Sequence, residues 1–158
     1  MTNVQQIQAS FSAFAALRGD GAPSADSGAV PAQPKNVKQI QASDFAFAAI
    51  LDDGSVVSWG DADFGGDSSA VQDQLTNVQQ IQASFSAFAA LRGDGAPSAD
   101  SGAVPAQPKN VKQIQASDFA FAAILDDGSV VSWGDADFGG DSSAVQDQLT
   151  NVQQRLLV

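Results

Sequence analysis

The chain has 158 residues, a formal net charge of −11 and an apolar fraction of 44%, and it contains neither histidine nor cysteine. The negative charge disfavours binding to nucleic acid and to anionic membrane surfaces, and no apolar run approaches the ~20 residues of a membrane-spanning helix. Without histidine, the chain lacks the commonest general base and the commonest metal ligand. Without cysteine, it can form neither disulfides nor reactive thiolates.

The first predicted strand is Val4–Ala9, where polar and apolar residues alternate. The second predicted strand covers residues 13–17 and has a counterpart at 46–50. An alanine-rich run also favours a helix, but this run is short and ends at a turn signal, so we favour a strand. Both of its faces are apolar, so we expect it to be covered on both sides.

A hairpin turn is predicted at Asp53-Gly54, and the β-branched residues after it predict a third strand over 55–60. Residues 61–69 form a polar, glycine-rich loop. The 18 acidic residues are all aspartate, which favours turns where glutamate would favour helices. Together these features predict an all-β protein.

The first hairpin is followed by a different segment, residues 22–28, which contains Pro23 and Gly28. Proline cannot donate a hydrogen bond to a strand ladder, and glycine weakens a strand. We therefore predict that no third strand forms there or in its copy at 96–102.

The chain is an exact tandem repeat: residues 2–75 recur unchanged as residues 76–149. Since natural repeats diverge, this identity indicates a very recent duplication or an engineered gene. Each half is itself double, because the motif that begins at Asn3 returns at Asn36, Asn77 and Asn110. We predict a single repeat domain over 1–158, with four quarter-repeats and a terminal partial repeat at 150–158.

The order of these elements resembles a known family. Val4 and Ile7, the run at 13–17, Asp53-Gly54 and Trp59-Gly60 follow one another as in the repeat of the regulator of chromosome condensation family of β-propellers. The short repeat is similar to that of the propeller-type β-lactamase inhibitor protein, whose blades have three strands. The resemblance implies a β-propeller, and it implies that function lies in loops particular to each member.

Departures from the family pattern occur at three places: Ser10 and Ser43 replace its glycine, and Ala13 and Ala46 replace its histidine. Its asparagine is replaced by Asp61, or by Ala62–Asp63 if the loop is shifted. The scaffold stays readable despite these changes.

The best metal candidates are three aspartates of one loop, Asp61, Asp63 and Asp67, with copies at Asp135, Asp137 and Asp141. Calcium requires several carboxylate oxygens, but the fifth loop position is Gly65 and the twelfth is Gln72. We therefore predict no metal site.

Paired carboxylates at Asp52-Asp53 and Asp126-Asp127 could support acid–base chemistry. They adjoin a turn glycine, where aspartate ordinarily caps the backbone. No nucleophile–base pair is evident either. We predict that the chain has no catalytic, cofactor-binding or metal-binding residues, needs no cofactor and is not an enzyme.

Two further motifs have a functional and a structural interpretation. Arg18-Gly19-Asp20, repeated at Arg92-Gly93-Asp94, spells an integrin-recognition tripeptide or forms an ordinary β-turn. Trp59 and its copy Trp133 could anchor a partner, or they could pack within the blade. The structural interpretation is favoured for both motifs.

The predicted core consists of ten apolar residues and their copies 74 positions later: Val4, Ile7, Phe14, Leu17, Val37, Ile40, Phe47, Ile50, Val57 and Trp59, with Val78, Ile81, Phe88, Leu91, Val111, Ile114, Phe121, Ile124, Val131 and Trp133.

For function, we expect a non-catalytic, self-assembling propeller scaffold; the alternative is a protein-binding module that uses acidic propeller loops such as residues 61–74. Residues 3–10 and 151–158 are versions of one element, so both can compete for one closing position. We expect a second chain to resolve that competition in a homodimer. No secretory signal is evident, and a natural protein of this kind is expected in the cytoplasm.

Overall fold

The fold was analysed in a computed structural model that describes residues 4–18, 23–25, 36–99 and 108–152. In these residues the chain forms four three-stranded antiparallel sheets, each built from three consecutive strands. We call them blades 1 to 4. Their strands are β1 (Val4–Ala9), β2 (Phe14–Arg18) and β3 (Pro23–Ala25); β4 (Val37–Ala42), β5 (Ala46–Leu51) and β6 (Val56–Gly60); β7 (Val78–Ala83), β8 (Phe88–Arg92) and β9 (Pro97–Ala99); and β10 (Val111–Ala116), β11 (Ala120–Leu125) and β12 (Val130–Gly134). The all-β prediction is confirmed.

Helical structure in the described residues is confined to four short 3-10 helices after the third strands of blades 2 and 4: Ala62–Phe64, Ser69–Gln74, Ala136–Phe138 and Ser143–Gln148. None of the helices in the described ranges is long and apolar enough to span a membrane.

The prediction that the short repeats lack a third strand is wrong. β3 pairs with β2, and β9 pairs with β8, in each case over three residues. The proline is the first residue of an outermost strand, a position where its missing N–H is tolerated. Arg92 N donates to Ala96 O at 3.0 Å just before Pro97, whose side chain is fully buried opposite Leu91. Proline therefore shortens the strand without preventing it.

The passages from blade 2 to blade 3 and from blade 3 to blade 4 follow the same backbone route. The asparagine that opens a repeat is left-handed, with φ of 54° at Asn77 and 65° at Asn110. Asparagine tolerates this conformation better than most residues. The next residue then bonds back to the turn glycine of the preceding blade, as in Val78 N to Gly54 O at 2.8 Å. The repeated asparagine thus marks the turn that leads from one blade to the next.

The core lies between blades, because neighbouring blades pack face to face. We call the face toward the preceding repeat the front face and the face toward the following repeat the back face. Three apolar clusters fill the three junctions. Between blades 1 and 2 they include Ala13, Ala15, Leu17, Val37, Ile40, Phe47, Ala49 and Trp59. Between blades 2 and 3 they include Ala46, Ala48, Ile50, Val56, Leu75, Val78, Ile81, Phe88 and Ala90. Between blades 3 and 4 they include Ala87, Ala89, Leu91, Val111, Ile114, Phe121, Ala123 and Trp133.

Most predicted core residues are buried, but three are exposed and three are only partly buried. Val4, Ile7 and Phe14 are exposed because no blade in the described part of the chain lies against the front of blade 1. Phe14 is 63% exposed, whereas Phe88, its copy in blade 3, is 8% exposed. The second strand is therefore covered on both sides in the inner blades but not in blade 1.

Two smaller corrections concern the third strand and the back of blade 4. Val57 and Val131 are only partly buried, and their neighbours Val56 and Val130 are buried instead. Strand alternation points the two adjacent valines to opposite faces of the blade: Val56 lies in the cluster between blades 2 and 3, and Val57 packs, partly buried, against the cluster between blades 1 and 2. Ile124 is partly buried although its copy Ile50 is fully buried, since none of the described blades covers the back of blade 4.

Candidate binding surfaces

Six phenylalanines form a continuous ladder along one edge of all four blades. Neighbouring ring centroids lie between 4.5 and 5.8 Å apart, within the range of favourable aromatic contacts. The members in ladder order are Phe11, Phe45, Phe64, Phe85, Phe119 and Phe138. The outer members Phe11 and Phe138 are 79% and 50% exposed. The ladder is thus a large apolar stripe accessible at both ends.

The ladder is held in place by its own turns. Four of its members lie in the turns between first and second strands, and the other two end the 3-10 helices. Ser43 Oγ accepts from Ala46 N at 3.2 Å and donates to Phe64 O at 2.8 Å, which ties the two kinds of turn together. Ser117 Oγ donates to Phe138 O in the same way, at 3.1 Å. The serine that replaces the family glycine therefore positions the aromatic residues.

Backbone bonds connect these turns from blade to blade. Phe11 N donates to Asp44 O at 2.8 Å, Asp44 N to Phe85 O at 3.1 Å, and Phe85 N to Asp118 O at 2.7 Å. Sequence analysis missed this surface. The available signal was a phenylalanine one or two residues after the serine of every repeat, in a turn where no core residue is needed.

The end faces of the blade stack are the second accessible surface. The front of blade 1 presents Val4, Ile7 and Phe14. Near the back of blade 4, a groove of about 400 Å³ is lined by residues that include Ile124, Leu125 and Asn151. An apolar sheet face left open in this way commonly marks an interaction site.

The beginning of the terminal partial repeat follows the route of a fifth blade. Asn151 has φ of 55°, and Val152 N donates to Gly128 O at 2.9 Å. Asn77 and Val78 make the same passage between blades 2 and 3. Residues 151–152 therefore occupy the position from which a first strand would start.

The candidate calcium loop uses its carboxylates to cap turns. Asp61 Oδ1 accepts from Asp63 N, and Asp67 Oδ1 accepts from Ser69 N, both at 2.9 Å. The Ser69 backbone N–H lowers the pKa of Asp67 below its ordinary value. Nowhere in the described ranges do three acidic side chains converge as a metal site requires. That the protein has no metal site stays a prediction.

The adjacent carboxylates are also turn residues. Asp53 Oδ1 accepts from the Ser55 hydroxyl at 2.6 Å and from Ser55 N at 2.9 Å. These two bonds lower the pKa of Asp53, the hydroxyl contributing most. A solvent-exposed carboxylate with a lowered pKa is a poor general base near neutral pH. Asp127 repeats this arrangement with Ser129.

The tripeptide at Arg92-Gly93-Asp94 forms a turn closed by Gly95 N donating to Arg92 O at 2.9 Å. Its arginine and aspartate pair with each other, Nη2 to Oδ2, at 2.9 Å. In the first copy, Gly19 and Asp20 lie outside the described residues. The described geometry is that of a self-paired β-turn.

The tryptophans pack within the blades. The ring of Trp59 stacks on Phe47 with centroids 5.6 Å apart, and both side chains are buried. Trp133 and Phe121 repeat the stack at the same distance. Neither tryptophan is available at the surface as an anchor for a partner.

Comparison with known proteins agrees with this architecture. The sequence profile of the Regulator of chromosome condensation (RCC1) repeat matches residues 37–65 and 111–139, which correspond to blades 2 and 4 with their first 3-10 helices. A comparison with curated protein sequences gave no significant match.

Several solved structures share the fold at low sequence identity. The CRINKLY WD40 ectodomain of the Arabidopsis thaliana receptor kinase ACR4 has a TM-score of 0.64 at 15% identity, covering 85% of this chain and 52% of that one. Human WBSCR16 has a TM-score of 0.57 at 18% identity, covering 83% and 47%. Saccharomyces cerevisiae Prp20p has a TM-score of 0.56 at 16% identity, covering 84% and 44%. The chain thus spans about half the length of the structures it matches.

Proposed function

We propose that this chain, whose blades 2 and 4 match the RCC1 repeat, is a non-catalytic scaffold that binds a second copy of itself. The blades form a propeller-type module, and such folds serve as binding platforms whose particular function lies in their accessible surfaces. The two end faces are accessible apolar surfaces of this kind.

One observation carries the proposal: identical sequence is buried inside the chain and exposed at its end. Ile81 and Phe88 of blade 3 are buried by blade 2, whereas their copies Ile7 and Phe14 in blade 1 are exposed. Burying a large apolar side chain stabilises by ~1.5–3 kcal/mol. The end faces therefore gain free energy when a matching blade covers them, and a second chain supplies one.

The dependence of thermal stability on protein concentration tests self-association. A partner that binds only the folded state stabilises that state by mass action. We expect the thermal midpoint of the full chain to rise steadily as its concentration is raised a hundredfold. A midpoint that stays constant over that range would contradict the proposal.

A second candidate function is the recognition of a basic protein by the phenylalanine ladder. Asp44 and Asp118 lie in the ladder turns, and Asp63 and Asp137 precede Phe64 and Phe138 directly. Exposed aromatic rings flanked by carboxylates suit a partner with apolar and cationic side chains. Prp20p is described as binding histones and Gsp1p, which is a precedent for protein recognition by this fold.

The two functions are separated by changing the ladder away from the end faces. Phe85→Ser removes a partly exposed ring from the middle of the stripe. If the ladder recognises a basic protein, this variant should lose binding to purified histones, tested as the probe, while its self-association persists. Histone binding that is absent from the unaltered protein, or unaffected by the change, would count against the second function.

A further inference from the structure

We propose that the back of blade 4 in one chain docks on the front of blade 1 in a second chain, in the arrangement that joins blades 2 and 3 within one chain. The same contact made in the opposite direction then closes two chains into a ring of eight blades. This inference rests on the proposed self-association and specifies the surfaces that perform it.

The internal junction between blades 2 and 3 is a template because both of its halves recur at the chain's ends. Blade 2 contributes its back face and blade 3 its front face, and the copies of these two faces are the open ends of the stack. The back of blade 2 presents Ala46, Ala48, Ile50 and Val56, repeated as Ala120, Ala122, Ile124 and Val130; the front of blade 3 presents Val78, Ile81, Phe88 and Ala90, repeated as Val4, Ile7, Phe14 and Ala16. Every apolar partner in the internal junction thus has a copy at the new one.

The backbone supplies a matching pair of hydrogen-bonding groups. Inside the chain, Asp44 N donates to Phe85 O across the template junction. The corresponding groups are Asp118 N and Phe11 O, for which no backbone partner is present in the described part of the chain. Docking in the template arrangement joins them, and it continues the series of bonds that already connects the turns.

The aromatic ladder is extended by the same docking. Phe64 and Phe85 meet across the template junction with ring centroids 5.8 Å apart. Their copies Phe138 and Phe11 are the two exposed ends of the ladder. In the closed assembly Phe138 of each chain contacts Phe11 of the other, and the ladder becomes a closed circle.

Gly65 and Gly139, which occupy the same position in the two identical halves, show where a second chain fits. A Cβ on Gly65 would lie 2.7 Å from the ring of Phe88, so the backbone there is pressed against the next blade. At the copy, Gly139, no described atom lies within 4 Å of the same Cβ position. The space beside Gly139 is the place that the template assigns to Phe14 of a second chain.

The terminal partial repeat competes for this site with a sequence that matches the internal repeat less well than the first strand does. Val152 N donates to the Gly128 carbonyl oxygen. In the template arrangement, Val4 N of the second chain donates to that same oxygen. Three residues later, however, the partial repeat has Arg155 where the internal repeat has Ile81, which is buried. Burying an unpaired guanidinium is costly, so the incoming first strand, with Ile7, is the better occupant.

Eight blades lie within the range of known propellers, which usually have four to eight. A head-to-tail contact gives a ring when its rotation closes and a filament when it does not. Two chains with eight blades leave no end face open.

Disulfide trapping tests the arrangement, because the chain contains no cysteine of its own. Asp118→Cys with Phe11→Cys should form a disulfide between chains, since the template groups Asp44 N and Phe85 O are 3.1 Å apart. Asp44→Cys with Phe85→Cys is the matched control and should form a disulfide within one chain. Under oxidation, the first variant should run at twice the 16.1 kDa chain mass on a denaturing gel, and the control should stay at that mass.

The other outcomes each overturn a defined part of the proposal. If light scattering shows dimers and the control forms its disulfide, but the first variant forms no disulfide between chains, this interface is refuted while self-association stands. Monomers by light scattering with no trapping would refute both. A series of trimers and larger covalent species would refute two-chain closure.

Ile7→Glu is an independent check because Ile7 is exposed in a single chain. It should abolish dimers at micromolar concentration while leaving the circular dichroism spectrum unchanged, and persistence of the dimer would again refute the interface.

Discussion

Ile7 and Ile81 occupy the same position in two copies of one sequence, yet Ile7 is 62% exposed and Ile81 is 2% exposed. Local sequence cannot cause the difference, because 74 consecutive residues around the two positions are identical. The cause is the neighbouring blade: Ile81 packs against the back of blade 2, and Ile7 has no such neighbour. The exact repeat thus provides an internal control for the effect of packing.

The first prediction compares two copies of one phenylalanine. Phe88→Ala should destabilise the chain by about 3 kcal/mol, because it leaves a cavity between blades 2 and 3. Phe14→Ala should cost less than about 1 kcal/mol in the dissociated chain, where the ring is exposed. Urea unfolding at submicromolar protein measures both values, and equal losses would show that Phe14 is buried in the single chain.

The second prediction concerns the two stacked pairs. Phe47→Ala and Phe121→Ala should each cost about 3–5 kcal/mol, because each ring is buried and stacks on a tryptophan of its own blade. Thermal unfolding measures the effect. Unchanged midpoints in both variants would contradict the assignment of these residues to buried strands.

The third prediction concerns the competition for the closing position. Deleting residues 151–158 frees the Gly128 carbonyl oxygen, which now accepts a hydrogen bond from Val152 N. The dimer of the shortened chain should therefore be tighter than the dimer of the full chain, and it should dissociate only at a lower protein concentration. Sedimentation velocity over a dilution series measures the change. A weaker dimer after deletion would show that the partial repeat belongs to the interface.

The fourth prediction is the pH dependence of the turns. The hydroxyls of Ser55 and Ser129 lower the pKa of Asp53 and Asp127. In the same way, the backbone N–H groups of Ser69 and Ser143 lower the pKa of Asp67 and Asp141. A lowered pKa in the folded state means that these groups stabilise it above about pH 4 and that the contribution is lost as pH falls through the folded value.

Aspartate carboxylates ordinarily titrate near pH ~4. We therefore expect these groups to cause no change in the unfolding midpoint between about pH 5 and about pH 8, and to cause a decline in the midpoint below about pH 4. Asp53→Asn with Asp127→Asn is the matched variant and should reduce the acid-induced decline. An unaltered acid profile would show that these turns do not contribute.

The fifth prediction is that stability does not depend on metal. The carboxylates of Asp61 and Asp67 already accept backbone hydrogen bonds, and Gly65 stands where calcium would require another oxygen ligand. Adding a chelator should leave the thermal midpoint unchanged. A fall in midpoint that calcium restores would establish a site in this loop.

The blades were largely predictable from sequence because their cause is local. Alternation over Val4–Ala9 and the turn at Asp53-Gly54 set strand and hairpin positions that the structure confirms. The short third strand at Pro97 was missed, because tolerance of proline depends on its place at the outer edge of a sheet, which sequence does not show.

The binding surfaces were less predictable because their cause is the position of a blade in the stack. Ile7 and Phe14 carry the same signal as their buried copies, so periodicity assigned both to the core. The ladder from Phe11 to Phe138 arises from turns that are 33 or 41 residues apart in sequence, and only the stacking of blades brings them together.

Sedimentation equilibrium of the full chain tests the central claim most directly: two copies complete one propeller through their end faces. At an ionic strength of about 0.15 M, which screens the repulsion between two acidic chains, the predicted mass is twice 16.1 kDa, with no larger species as concentration rises. A mass of 16.1 kDa at high micromolar concentration would contradict the account, because it would mean that the exposed end faces do not bind each other.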